Sequence, residues 1–518
     1  MDRMDVIANA NSVNDSENSD SIEGFYAANA ILVTGATGFV GKGILEKLMR
    51  VCPRIAAIFL LIRPKRSQTL EQRFKKLLDD PIYDYVKEKD PSILSKIHPV
   101  QGDVSLPDLG LSPKDRIMLT ENVNIVFHVA ATVRFNEPLN VAVNINTKGT
   151  ARVIQLCKEL KHAISVVYVS TAYSNAHLSE IEEKIYSTCL EPSAVIDICE
   201  GGNKMFIDQL NKRILKTYPN TYTFTKNLAE QIISSNSDSF PVAIVRPSII
   251  GASHEEPCPG WLDNIYGVTA IFLQIGKGIL KAVTANRDAK LDLVPIDYVV
   301  DTTICAAWHI TLHRDNKPKV YNCTSNAPPI TWGQLKQMYT ECSRDIPMND
   351  VISYPYCVIV SNKLIYSVLS IFLHVLPAFI VDIFLILRGK RPMMIKVNKH
   401  LNQLLAAFSY FNTHEWTFHR CNITEMTMKV KTLEDSDIVK LDMRDMNWKK
   451  YIANYQIGIK KFILKESSDS VKSVRHQSSL DDISVYFRLY WMYLGTQVFG
   501  VVALSATIAL LALNISNF

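Results

Sequence analysis

The run Ile31-Leu32-Val33-Thr34-Gly35-Ala36-Thr37-Gly38-Phe39-Val40-Gly41 constrains the fold most: an apolar strand breaks at spaced glycines and resumes as the helical pattern Ile44 to Leu48. Glycines let the backbone turn tightly and approach a pyrophosphate, and the amides opening the next helix present partial positive charge to such an anion. Thr34, Gly35, Thr37, Gly38, Phe39, Val40 and Gly41 therefore form a candidate nucleotide-binding loop. The segment alone leaves a bare strand-to-helix turn open, so the decision falls to later motifs.

Further strand-like runs, Ala57–Ile62, Val123–Val129, Ser165–Val169 and Pro241–Val245, alternate with helical ones through the first three hundred residues. Alternation of this kind requires crossovers, hence an α/β fold: a Rossmann-type doubly wound parallel sheet whose ligands sit where strands end. After the second strand come Arg63 and Lys65, where a cofactor with a free ribose hydroxyl meets an acid; cations there suit a 2′-phosphate and favour NADPH over NADH. Asp103 and Val104 end another apolar stretch, with the carboxylate placed to accept from an adenine amino group. Ala130 and Ala131 close the next strand with side chains small enough for a flat cofactor, and His128 just before them reads as a packed core histidine.

Two hydroxyls, Ser170 and Thr171, stand at the tip of the strand Ser165–Val169 and can donate to a carbonyl oxygen over the sheet. Tyr222 and Lys226 are four apart and share one helical face. An ammonium beside a phenol lowers its pKa, so Lys226 is expected to make Tyr222 a better proton donor and acceptor near neutral pH.

At 518 residues the chain exceeds one ordinary core. The division expected is a disordered acidic tail 1–24, a nucleotide-binding domain 25–340, a mainly helical domain 341–465, a polar linker 466–488 and a transmembrane helix 489–513. Leu489 to Phe518 carries no charge, and Lys472, Arg475 and Arg488 precede it while none follows, which leaves the bulk of the protein facing the cytosol. A second apolar block, 364–387, is long enough to span a bilayer, but His374, Pro377 and Asp382 interrupt it, favouring a membrane-lying or substrate-facing helix pair. Net charge of +5 is too mild for a nucleic-acid footprint, and ten cysteines without a C-x-x-C pair, with His414 and His419 five apart, announce neither a disulfide framework nor a metal site. Oligomeric state is not encoded in any motif.

Phe25-Tyr26, the Thr34–Gly41 loop, Val169-Ser170-Thr171-Ala172-Tyr173 and Asn220-Thr221-Tyr222 through Lys226 together resemble the extended short-chain dehydrogenase/reductase superfamily. Arg246-Pro247-Ser248-Ile249-Ile250-Gly251, Pro259-Gly260-Trp261-Leu262-Asp263-Asn264, Val294-Pro295-Ile296-Asp297-Tyr298-Val299 and the later Trp416-Thr417-Phe418 are similar to the alcohol-forming fatty acyl-CoA reductases, over nearly all of the chain. The resemblance implies reduction of a long-chain acyl thioester by NADPH, through a hemithioacetal and an aldehyde, to a primary alcohol. Thr171, with Ser170, and Tyr222 would bind the thioester oxygen, Lys226 would hold the nicotinamide ribose, and Pro247, Ser248 and Ile249 join the cofactor-binding residues. A C-terminal anchor facing the cytosol suits a membrane of the endoplasmic reticulum or the peroxisome alike, and the inserted segment Ile181–Lys216 is expected to cover the pocket. A sterol or hydroxysteroid dehydrogenase of the same superfamily, and a lipid-binding protein without turnover, are the competing readings.

Overall fold

Seven strands, β1 (Ala30–Thr34), β2 (Ala57–Ile62), β3 (Ile97–Gln101), β4 (Ile125–His128), β5 (Ser165–Val169), β6 (Val242–Val245) and β7 (Lys319–Tyr321), pair entirely in parallel in the order β7-β6-β5-β4-β1-β2-β3. They come from a computed structural model that describes residues 20–466 apart from 66, 189, 314–316 and 350. The expected transmembrane helix 489–513 and most of the linker before it lie outside the described residues. β1, β2, β4, β5 and β6 are buried at every position, as a parallel sheet covered on both faces requires. Strand order reverses between β1 and β4, and their paired ends, Thr34 opposite His128, open the crevice in which such sheets bind ligands.

The tail drawn through residue 24 is too long. Ser21 accepts from Gly24 N at 3.0 Å and starts helix α1 (Ile22–Tyr26), and Ile22 is fully buried. The amides of Ile22 and Glu23 donate to the Asp435 carboxylate at 2.9 and 2.8 Å. That partner stands 412 positions away and leaves no local signal.

The chain divides into two compact units, each assembled from three stretches. Among the described residues the first comprises 20–263, 292–328 and 416–446, and the second 264–291, 329–415 and 447–466. The late stretch belongs with the first unit through main-chain pairing: Thr417–Phe418 runs parallel to Glu180–Ile181, and Trp416 Nε1 donates to Ala176 O at 3.1 Å. In the second unit, helices Gly267–Gly276, Trp332–Asp345 and Trp448–Gly458 meet around Phe272, whose ring stacks on Tyr339 with centroids 3.8 Å apart.

The apolar block is a continuous helix, Lys363–Leu387, not a segment broken by its polar residues. Pro377 has no N–H to give to the carbonyl four residues back. The turn Ile371–Val375 widens to π geometry just before it, which relieves the mismatch without ending the helix.

Candidate active site

The loop after β1 is shaped by contact as well as by dihedral angle. Gly35 has φ +75°, and a Cβ there would stand 2.7 Å from Ala130 N; a Cβ on Gly41 would meet Gly35 O at 2.3 Å. Glycine is required at both because helix α2 (Phe39–Val51) presses onto the loop and the loop presses onto the end of β4. Gly38 caps α2 with no side chain, so the first-turn amides at Phe39, Val40 and Gly41 keep their donors free of any capping side chain, and Thr37 and Gly38 face outward. Thr34 does a different job from its neighbours. It is fully buried, accepts from Val129 N and Ala130 N at 3.2 Å and lies 2.8 Å from His128 Nδ1, so it ties β1 to β4.

His128 is packed, with Thr150 Oγ1 3.1 Å from its other nitrogen, and burial together with the nearby Lys226 charge pulls its pKa to about 3. Burial thus favours its neutral form.

At the ends of β2 and β3 the fold joins two features read separately in the sequence: Arg63 Nε lies 3.8 Å from Asp103 Oδ2. Arg63 is more than half exposed, while Asp103 Oδ1 accepts from Ser105 N and Oγ at 2.9 and 2.8 Å. Lys65 pairs with Gln68 across the turn, and the Val104 carbonyl accepts from Arg152 at 2.8 Å.

Helix α3 (Thr221–Ser234), opened by Asn220, whose side chain accepts from Thr223 N at 2.9 Å, brings Tyr222 and Lys226 to the tip of β5. The inserted helices Pro192–Gly201 and Lys204–Ile214 pack on its first turns through a cluster including Val195, Ile214, Tyr218 and Phe224. Tyr222 stacks near Phe135 at 6.0 Å between centroids. Its phenol is not acidified. Burial pushes its pKa well above the ordinary value, and a hydrogen bond with Thr171 opposes this only in part. The expected lowering by Lys226 fails because that ammonium points elsewhere: it donates to Val169 O at 2.6 Å and lies 4.5 Å from the Tyr168 ring centroid. Lys226 itself is pulled down to about 7 by burial, against the raising influence of Glu230.

The two β5-tip hydroxyls part company. Ser170 Oγ donates to Glu230 at 2.5 Å, inside the fold, whereas Thr171 faces Tyr222 and lies 3.5 Å from Pro247 O. Glu230 also receives Arg246 through two bonds, Nε at 2.9 Å and Nη2 at 2.6 Å, and both side chains are completely buried. Sequence reasoning missed Glu230, although 222, 226 and 230 share one helical face and the spacing was there to read. It also missed Asp292, which accepts from Ser248 Oγ at 2.5 Å and Ser325 N at 2.9 Å and so braces the Pro247-Ser248-Ile249 segment; burial raises its pKa to about 6. No local pattern marks that carboxylate.

A second cluster went unread as well. His309, His313 and Glu425 bring ligand atoms within 4.8 Å of one another. Lys319 Nζ lies 2.9 Å from His313 Nε2 and 2.8 Å from Glu425, and Lys429 lies 3.0 Å from Glu425, so ammonium groups stand where a metal cation would have to sit.

An NAD-binding family model described as male sterility protein matches residues 33–303, and a second of the same description matches 373–466. The chain is 35% identical over 481 residues to fatty acyl-CoA reductase 1 of Rattus norvegicus, covering 92% of this chain and 93% of that protein. It is 36% identical over 468 residues to fatty acyl-CoA reductase 2 of Bos taurus, covering 90% and 91%. Among solved structures, the terminal R domain from the myxalamid PKS-NRPS biosynthetic pathway shares the fold at TM-score 0.56 and 19% identity, over 83% of this chain and 90% of that domain.

Proposed function

The chain belongs to the fatty acyl-CoA reductase family, and from that premise we propose that it uses NADPH to reduce long-chain fatty acyl-CoA to a primary fatty alcohol, releasing coenzyme A. The observation that carries the reading is that Thr171, just past the tip of β5, and Tyr222, on the first turn of α3, stand at the same carboxyl end of the sheet as the glycine loop after β1.

The residues present fit the cofactor. The loop at Gly35 and Gly41 has no room for a Cβ, the uncapped amides of α2 face a pyrophosphate's position, and Arg63 and Lys65 offer cations to a 2′-phosphate. Asp103 and Val104 would flank the adenine, Ala130 and Ala131 would give it a flat floor, Lys226 would hold the nicotinamide ribose, and Pro247, Ser248 and Ile249 would line its far side. NADPH, when bound, supplies one hydride per step.

Two such steps are needed. In the first, Thr171 and Tyr222 donate to the thioester oxygen as it gains charge; hydride addition gives a hemithioacetal, whose carbon–sulfur bond breaks to leave an aldehyde and the thiol of coenzyme A. In the second, the aldehyde carbon accepts the second hydride and its oxygen takes a proton, giving the alcohol. A phenol whose pKa is held up by burial stays protonated as the transition state develops charge, so Tyr222 would serve beside Thr171 as a hydrogen-bond donor to that oxygen. The catalytic part faces the cytosol, with the membrane of the endoplasmic reticulum or peroxisome as the source of substrate.

Incubating the full chain with acyl-CoAs of graded length and either NADPH or NADH, then extracting lipids, tests this. Fatty alcohol with two NADPH consumed per thiol released is the expected result. Oxidation of a steroid alcohol without thiol release from any acyl-CoA would refute it. Tyr222→Phe should lower turnover by about 10²–10⁴ while nucleotide binding persists.

A further inference from the structure

The helix Lys363–Leu387, labelled α4, is built inside out for water. Ser370, His374 and Asp382, at four-residue spacing with the small Ala378 between, face the protein and are buried or nearly so. Its large apolar side chains face away: Leu364 is 79% exposed, Phe384 60% and Leu387 76%. A helix in an aqueous domain turns its apolar stripe to the core and its polar residues to solvent. The reverse arrangement is stable only where the surroundings are hydrocarbon and every inward polar group finds a partner.

His374 Nε2 and Asp382 have such partners. His374 Nε2 accepts from Lys281 N at 3.0 Å and from Ala282 N at 3.3 Å, pinning the middle of α4 to the strand Ala282–Thr284. Asp382 accepts from the amides of Met393, Met394 and Ile395 at 2.8, 2.8 and 3.0 Å. It thereby caps helix α5 (Met394–Phe408) and folds the chain back on itself. From Lys363 to Phe408 the sequence holds six Lys and Arg against one acid, and that acid is Asp382, already spent on the cap.

We infer that α4 and the turn after it lie along a single leaflet of an anionic phospholipid bilayer, the apolar face among acyl chains and Arg388, Lys390 and Arg391 among headgroups. This contact is separate from the expected helix 489–513. The helix is long enough to cross, but crossing would carry its pinned midpoint to the bilayer centre. The strand Ala282–Thr284 and the Lys281 ammonium, which donates to Tyr354 O at 2.7 Å, would go with it, and irregular backbone and charge are excluded from lipid-exposed hydrocarbon. Lying in the interface keeps that strand on the aqueous side and lets the cations reach lipid phosphates.

The test uses the full chain in vesicles of phosphatidylcholine and phosphatidylserine doped with a phosphatidylcholine carrying a diazirine on its acyl chain. Irradiation and peptide mass spectrometry should find label on the outward residues of α4, Phe379 and Phe384 among them. Lys390 should react with a membrane-impermeant acylating reagent added outside, as readily as Lys114 does. Omitting phosphatidylserine should lower the α4 label severalfold. A Phe379→Gln, Phe384→Gln variant, altered only at exposed positions, should lose most of that label with its melting temperature unchanged. Label confined to 489–513 would overturn the inference and assign the face to a protein partner. Lys390 protected until the vesicles are lysed would overturn it in favour of a crossing helix, and label indifferent to phosphatidylserine would overturn the headgroup pairing.

Discussion

Replacing Glu230 with Gln removes one charge from a pair that has no water to fall back on. Glu230 and Arg246 are both fully buried, joined by bonds of 2.6 and 2.9 Å, and Arg246 also donates to Glu182 O and Lys184 O at 3.1 and 2.8 Å. In Glu230→Gln the guanidinium keeps its carbonyl partners but loses its counter-charge. Breaking a buried pair from one side costs about 3–5 kcal/mol, because the surviving ion stays desolvated. In a domain of this size each kcal/mol moves the midpoint by about 2 °C, so the melting temperature should fall by about 6–10 °C. The effect extends to chemistry: Glu230 is the influence that raises Lys226 against burial, so Lys226 should drop below its value of about 7 and the pH–rate profile should shift to the acid side. Thermal unfolding followed by circular dichroism, alongside kcat/KM from pH 5 to 9, measures both. The apolar pair Glu230→Leu with Arg246→Met should recover much of the lost stability. A single variant melting within 2 °C of the parent, or a double variant no more stable than the single one, would refute the reasoning.

Gly35→Ala forces an L side chain into φ +75° with its Cβ 2.7 Å from Ala130 N; at least tenfold weaker NADPH binding by calorimetry is expected, with a lower melting temperature. Arg63→Ala should cut kcat/KM with NADPH by about tenfold, roughly 1.4 kcal/mol, and leave the value with NADH nearly unchanged. Burial raises the folded Asp292 from 3.8 to about 6, so between these values the folded state holds a proton the unfolded state has released, and stability contributed by this group is lost as pH rises through about 6. Asp292→Asn, which keeps an acceptor for Ser248, should abolish that component, read as the difference between the two stability–pH curves.

The sheet was legible because its signals are local. Runs of buried apolar residues at 31–34, 57–62 and 165–169 specify strands without reference to anything distant, and glycine spacing specifies the turn that joins β1 to α2. Thr171 at a strand tip and Tyr222 on the first turn of a helix were legible by the same logic, while their joint role came only from the family resemblance. What a linear reading lost was direction. Spacing puts Lys226 on the face of Tyr222, but only the fold reveals that its ammonium reaches back to Val169 O, so its influence on the phenol is absent. Ser170 and Thr171 are indistinguishable as letters, and alternation along β5 sends one to Glu230 and the other to the crevice. Asp435 on α1 and Asp292 on Ser248 were illegible because each partner arrives from a remote stretch.

The contact between Asp435 and the first helix also sets a clock on biosynthesis. A ribosome adding about 5–20 residues per second needs roughly 20–80 s to cover the 412 positions between Glu23 and the carboxylate that receives its amide. The reductase unit therefore stays unfinished throughout that interval, and α4, with its outward leucines and phenylalanines, leaves the exit tunnel before the stretch 416–446 can complete it. During this window the outward face of α4 is apolar surface of the kind that aggregates unless a chaperone or a lipid surface covers it.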